Sequence, residues 1–208
     1  MNKAPGKREQ NRVERLRALR EAGLRLFLER GLSQVTIDEI AREAGTAKGN
    51  FYRYFSDKEA LVAGILEPMA TAMRGHIEAC RDALEKALDR DDLNAAYGSL
   101  ALVVAITATQ NLDACRFYLQ ESRGPATGAR APLVALADEV QDAAIELTRV
   151  AVKRGLLEVS DPRISALAVV GSTEVLMLGM LDGRLDGVPP TQVAQTMIGM
   201  VLDGIRAR

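Results

Sequence analysis

The side chains best placed to do chemistry in this chain lie between Thr36 and Phe55, in the string TIDEIAREAGTAKGNFYRYF. Lys48, Asn50, Tyr52 and Arg53 all carry hydrogen-bond donors, and only Gly49 and Phe51 stand between them. Donors grouped this way recognise a partner rather than break its bonds. Their positioning makes two structural demands. One helix must pass close to another, which asks for a small residue at the crossing and a glycine at the turn; Ala41 and Gly45 supply these. Apolar groups must fix the angle between the two helices, and Ile40, Ala44, Phe51 and Tyr54 have suitable spacing. The face left over is rich in donors and only lightly apolar. It suits the major groove of B-DNA, about 12 Å wide.

Around this string the sequence resembles the TetR family of bacterial transcriptional regulators. The resemblance runs from about Val13 to Leu66 and is most specific in AKGNFYRYFSDKEAL, Ala47 to Leu61. It implies roles residue by residue. Thr36, Tyr52 and Lys58 would hold phosphates, and Lys48 a phosphate or a guanine edge. Ala47 opens the recognition helix, and Gly49 lets it come close to the DNA backbone. Asn50 and Arg53 are the expected base readers, each good bidentate pair being worth about 1–3 kcal/mol of discrimination. Arg53 could instead be a solvated charge, and Tyr54 is divided between the inner face and the groove. Thr46 departs from the apolar residue usual at this turn; it could cap the recognition helix and reach a phosphate. Arg12 and Arg42 read as general attraction or solubility.

The elements that hold these residues follow from periodicity and caps. Val13, Leu16, Leu19, Gly23, Leu26 and Phe27 recur at helical spacing and stop at Gly31. Thr36 and Glu39 form a capping box for a second helix that Gly45 ends. A third runs from Ala47 to Tyr54. Ser56 and Glu59 suggest another capping box, opening a long fourth helix that Pro68 kinks rather than ends. Beyond residue 90 the pattern is long helices: Leu93–Thr109, Asp113–Ser122, Leu133–Arg154, Asp161–Leu181 and Thr191–Ile205. Gly124–Pro132 is a loop, and Asp161-Pro162 is a cap followed by a first-turn proline. The expected fold is all-α with about nine helices. Residues 1–60 form a three-helix head with the helix-turn-helix at 36–55, and residues 61–208 a body that binds ligand and dimerises.

Composition sets the bounds. A chain of 208 residues, 48% hydrophobic and 26% charged, is long enough to bury a core without staples. Residues 1–58 hold 13 of the 27 Lys and Arg but only 8 of the 28 Asp and Glu, so a basic head sits on an acidic remainder. One His and two Cys leave no metal-spaced set, and no phosphate loop or nucleophile motif appears. The expectation is no enzyme and no cofactor. A charged N-terminus lacks a secretory signal, and Ile164–Leu181 carries Ser172, Thr173 and Glu174, short of a clean membrane span. Cytoplasm is the expected location, with no membrane partner.

Several residues admit two readings. His76, Phe117, Tyr118, Glu121 and Met177 could line a ligand pocket, or be ordinary core and helix-surface positions. Cys80 and Cys115 read as reduced core thiols rather than a redox pair. Leu167, Gly171, Val175 and Leu178 make one seam and Val193, Met197, Val201 and Gly204 another; small residues among large ones permit close helix approach. As the resemblance implies, these two helices from each subunit would form a homodimer interface. The function expected is repression from a palindromic double-stranded DNA operator, relieved by a small apolar or amphipathic ligand. The alternatives are an activator or dual regulator, or a helical ligand-binding protein that has lost DNA binding.

Overall fold

The computed structural model describes residues 6–203, and among them the chain forms nine α-helices, one short 3₁₀ turn and no strand. The helices are α1 (Lys7–Arg30), α2 (Ile37–Glu43), α3 (Lys48–Phe51), α4 (Lys58–Lys86), α5 (Arg90–Gln110), α6 (Leu112–Glu121), α7 (Ala131–Lys153), α8 (Pro162–Leu181) and α9 (Pro190–Asp203). They fall into two compact units, and α4 contributes to both.

The first unit comprises the chain up to Pro68 together with Asp113–Ala135. This compact unit is larger than residues 1–60, because α6 and the loop after it pack with the first helices. The reason lies in the core. Phe117 is fully buried and stacks on Phe27 of α1, with ring centroids 5.4 Å apart. Around them Leu19, Ile40, Phe51, Leu61 and Val62 are also closed to solvent. Gly23 marks a close helix crossing: a Cβ there would lie 2.8 Å from the Leu61 side chain. Glu121, at the end of α6, accepts from the Leu32 N–H at 3.5 Å and from the Arg130 guanidinium. An apolar stack and a polar clasp thus fix the returning segment to the α1–α2 connector.

Two helix boundaries differ from the sequence reading. The third helix is a single turn, Lys48–Phe51, followed by turn residues rather than helix through Tyr54. The fourth is capped by Asp57, whose Oδ1 accepts from the Ala60 N–H at 2.7 Å, and Ser56 only donates to Asp57. Carboxylates are good caps because they accept from orphan N–H groups, and Asp57 is one residue nearer the helix than Ser56. Pro68 lies inside α4, which continues past it to Lys86.

The second unit comprises Met69–Leu112 and the chain from Leu136 onward. Its core joins Cys80 and Leu84 of α4, Leu93 and Ala96 of α5, and Leu147 and Ala151 of α7. Arg74 of α4 meets Glu139 of α7 through two hydrogen bonds of 2.6 and 3.1 Å. Asp161 caps α8 as expected, accepting from the Arg163 N–H at 2.8 Å with Pro162 in the first turn. α9 packs on α5 and α8; Thr173 of α8 donates to the Met197 sulfur at 3.5 Å. By length and composition α5 and α8 are each apolar enough to cross a membrane, which corrects the expectation that α8 falls short. The polar trio Ser172, Thr173 and Glu174 is too small a fraction of α8 to lower its mean hydropathy below that of a span.

Candidate nucleic-acid interface

The α2–α3 turn is built from local chemistry. At the end of α2 the Thr46 N–H bonds the Ala41 carbonyl at 2.9 Å and the Gly45 N–H bonds that of Arg42 at 3.0 Å. This Schellman arrangement needs a left-handed residue, and Gly45 has φ of 64°. At the start of α2, Thr36 Oγ1 accepts from the Glu39 N–H at 3.3 Å, while Glu39 Oε2 accepts from the Thr36 N–H at 2.8 Å. The capping box is therefore present as expected. Bonds from the Thr36 backbone and hydroxyl, reinforced by Arg30 at 2.9 Å, hold the Glu39 carboxyl down at about 2.

The recognition turn displays the expected residues unequally. Lys48, Gly49, Tyr52 and Arg53 are exposed, Tyr52 by 51%. A Cβ on Gly49 would meet nothing within 4 Å, so this face is open for a close approach. Lys48 Nζ lies 2.9 Å from Asp38 on α2, a bond that raises the ammonium above its ordinary range. Ala47 caps α3 without a side-chain bond. Thr46 does not cap the helix through its hydroxyl either; its Oγ1 accepts from Asn50 Nδ2 at 2.9 Å. That bond uses one amide donor of Asn50 and leaves its carbonyl oxygen unengaged. Arg53 lies in the turn after α3, and Tyr54 is half-buried.

Lys58 has a structural role beside the expected one. Its ammonium is half-buried and donates to the Leu32 carbonyl at 2.8 Å and the Val35 carbonyl at 3.0 Å. Burial pushes its pKa down. The α1–α2 connector leaves these carbonyls without helical partners, so Lys58 serves the connector first and has one N–H left for a phosphate.

A second surface was not anticipated as a site. Arg8, Asn11, Arg12 and Arg15 on α1 and Asn50, Arg53 and Tyr54 beyond the turn line one groove of about 510 Å³. Positions 8, 12 and 15 share a helix face, which was legible in the sequence; that this face meets the residues around Asn50 and Arg53 was not.

The expected ligand residues divide between the two units. His76 does line a cleft of about 340 Å³ in the second unit, between α4 and α5, with Ala83, Lys86, Ser99, Leu100 and Val103 among its walls. Phe117, Tyr118 and Glu121 belong to the first unit: both rings are buried and Glu121 is engaged with Leu32 and Arg130. Of the two readings, the core one describes the rings and a clasp describes Glu121. Met177 is half-buried on α8 and does not line the cleft. Cys80 and Cys115 are both free and buried, and burial pushes the Cys80 thiol up to about 11.

Of the two apolar seams, Leu167 and Val175 on α8 are exposed by 42% and 66%, and Val201 on α9 by 41%. Gly171, Leu178, Val193 and Met197 are half-buried, and Gly204 lies outside the described residues.

A capped helix, a glycine turn and a donor-rich turn of helix, set on a three-helix head, define the class of helix-turn-helix DNA-binding domains. Residues 19–65 match the model of bacterial regulatory proteins of the tetR family. The chain is 43% identical over 51 residues to the HTH-type transcriptional regulator YvdT of Bacillus subtilis, covering 24% of this chain and 26% of that protein. It is 36% identical over 81 residues to the HTH-type transcriptional repressor Rv3405c of Mycobacterium tuberculosis, covering 38% of this chain and 43% of the relative. The chain thus spans less than half the length of these relatives.

The whole fold is also shared. The fatty acid degradation regulator FadR of Bacillus halodurans superposes with a TM-score of 0.72 at 18% identity, over 99% of this chain and 100% of that one. AibR, solved with isovaleryl coenzyme A and operator DNA, gives 0.64 at 22% identity, over 90% and 98%. FadR of Bacillus subtilis, solved with stearoyl-CoA, gives 0.65 at 16% identity, over 91% and 98%.

Proposed function

We propose that this protein is a sequence-specific DNA-binding transcriptional regulator, a repressor released from a palindromic operator by a small apolar or amphipathic ligand. The observation that carries the reading is the α2–α3 turn: Gly45 sets the crossing, and Lys48 and Tyr52 stand exposed on either side of an open Gly49. Lys48, Tyr52 and the Thr36 terminus of α2 hold phosphates, while Asn50 presents its free carbonyl oxygen to base edges. The protein acts in the cytoplasm as a binding module, not an enzyme.

A palindrome calls for two heads. The α8–α9 seams supply the self-complementary surface, and the heads of a homodimer would enter major grooves about 34–36 Å apart. The α4–α5 cleft in the second unit is the site for ligand, its alanine, leucine and valine walls suiting an apolar group and Lys86 a polar or anionic end. Acyl-CoA thioesters, bound by two of the fold neighbours, are the first compounds to screen. Release requires differential affinity: moving occupancy from 99% to 1% takes about 5.5 kcal/mol.

Binding of the purified protein to the DNA upstream of its own gene, followed by fluorescence anisotropy, tests the reading. Saturable, salt-sensitive binding should weaken at least about ten-fold in Lys48→Ala/Tyr52→Phe, the loss of charge-assisted bonds, without a change in circular dichroism. Unchanged binding by the variant would sink it.

A further inference from the structure

We infer that the groove between the first turns of α1 and the residues following α3 holds one phosphodiester strand of DNA, gripped by Arg8, Arg15 and Arg53. The inference deepens the regulator reading and rests on it. Of the other head arginines, Arg17 pairs with Glu21, Arg25 with Glu43 and Arg30 with Glu39, at 3.7, 2.7 and 2.9 Å, while Arg20 and Arg42 do not line the groove. Arg12 meets Glu9 at 3.4 Å across an exposed helix turn.

Arg8, Arg15 and Arg53 are different. All three are exposed, line the same groove, and form no ion pair or side-chain hydrogen bond among the described residues. Three guanidiniums facing one trough repel one another, and a polyanion in the trough removes that repulsion. Arginine forks match phosphate oxygens bidentately, which makes the site selective for phosphate over a generic anion.

The dimensions agree. Positions 8 and 15 are two turns apart on one face, about 10 Å along the helix axis. A DNA strand carries one phosphate per about 3.4 Å of its axis, so the row reaches two or three successive phosphates. Asn50 and Tyr54 close the far wall, so the strand lies directly beside the recognition turn. Arg53, in the turn after α3 rather than on it, faces this strand instead of a base edge.

The test is the salt dependence of operator affinity. Each neutralised phosphate contributes about 0.9 to the slope of log K against log salt. Arg8→Gln/Arg15→Gln should lower the magnitude of that slope by about 1.8 and leave the ranking of operator variants unchanged. Between 50 and 200 mM salt, wild-type affinity should therefore fall about twelve-fold further than that of the variant. Arg53→Gln should remove about 0.9 more, again without changing sequence preference. Both variants alter exposed side chains, and a matching thermal melt verifies the fold.

An unchanged slope in Arg8→Gln/Arg15→Gln, with specific wild-type binding intact, overturns the groove alone. Loss of discrimination at one base pair in Arg53→Gln returns Arg53 to the base edges and contradicts its assignment. Wild-type protein that selects no sequence overturns the regulator reading itself.

Discussion

At the scale of single residues, the interface divides between groups free to meet DNA and groups spent on the fold. Lys58 is spent: its ammonium closes the carbonyls of Leu32 and Val35, 26 and 23 residues away in sequence. Lys58→Met should lower stability by roughly 1–3 kcal/mol, the cost of leaving buried acceptors unsatisfied, as read by chemical denaturation. A stability within 0.5 kcal/mol of wild type would restore Lys58 to a purely external role. Lys48 is partly spent on Asp38, an exposed pair that also sets a negative charge beside the proposed DNA face. Asp38→Asn frees the ammonium and removes the repulsion, so operator affinity should rise about two- to five-fold at low salt, the size of an exposed ion pair. Weaker binding by that variant would contradict the proposed orientation of α2.

At the scale of elements, what could be read from the sequence was local. The Thr36–Glu39 box, the Gly45 turn and the Asp161-Pro162 start involve partners within five residues, and each is where the residue types require it. Caps and left-handed glycines report on neighbours in the chain, so periodicity and type suffice. The pieces left open depend on distant partners. Phe117 admits both a pocket and a core reading because nothing in its neighbourhood announces the stack on Phe27, and Glu121 because its contact with Leu32 spans 89 residues.

The Thr36–Glu39 box also has a pH signature. Glu39 titrates near 2 in the folded protein against an ordinary 4.5, so its bonds stabilise α2 fully above about 4.5. That contribution is lost as pH falls from about 4.5 toward 2, because the unfolded chain takes up the proton first. Glu39→Gln should flatten the acid side of the stability profile in this window, measured by thermal melts at successive pH values. An acid limb as steep as that of wild type would place its origin in other carboxyls.

At the scale of the molecule, the apolar surface is the open account. α8 presents Ile164, Leu167 and Val175 to solvent at 68%, 42% and 66% exposure, and α9 adds Met200 and Val201 at 50% and 41%. A patch of this kind marks an association surface, and a second copy of the same chain is the proposed occupant. Val175→Arg places a charge among its most exposed residues without touching either core. Sedimentation should then show a monomer where wild type is a dimer, with operator affinity falling as the second head is lost. A variant that stays dimeric would move the interface off α8.

The most direct test of the central claim is selection of the purified protein against random duplex DNA at near-physiological salt, followed by sequencing. The expected result is enrichment of an inverted repeat whose half-sites are centred about 10–10.5 base pairs, or a multiple of that, apart. Enrichment of no sequence, or of a single site without a repeat, would contradict it.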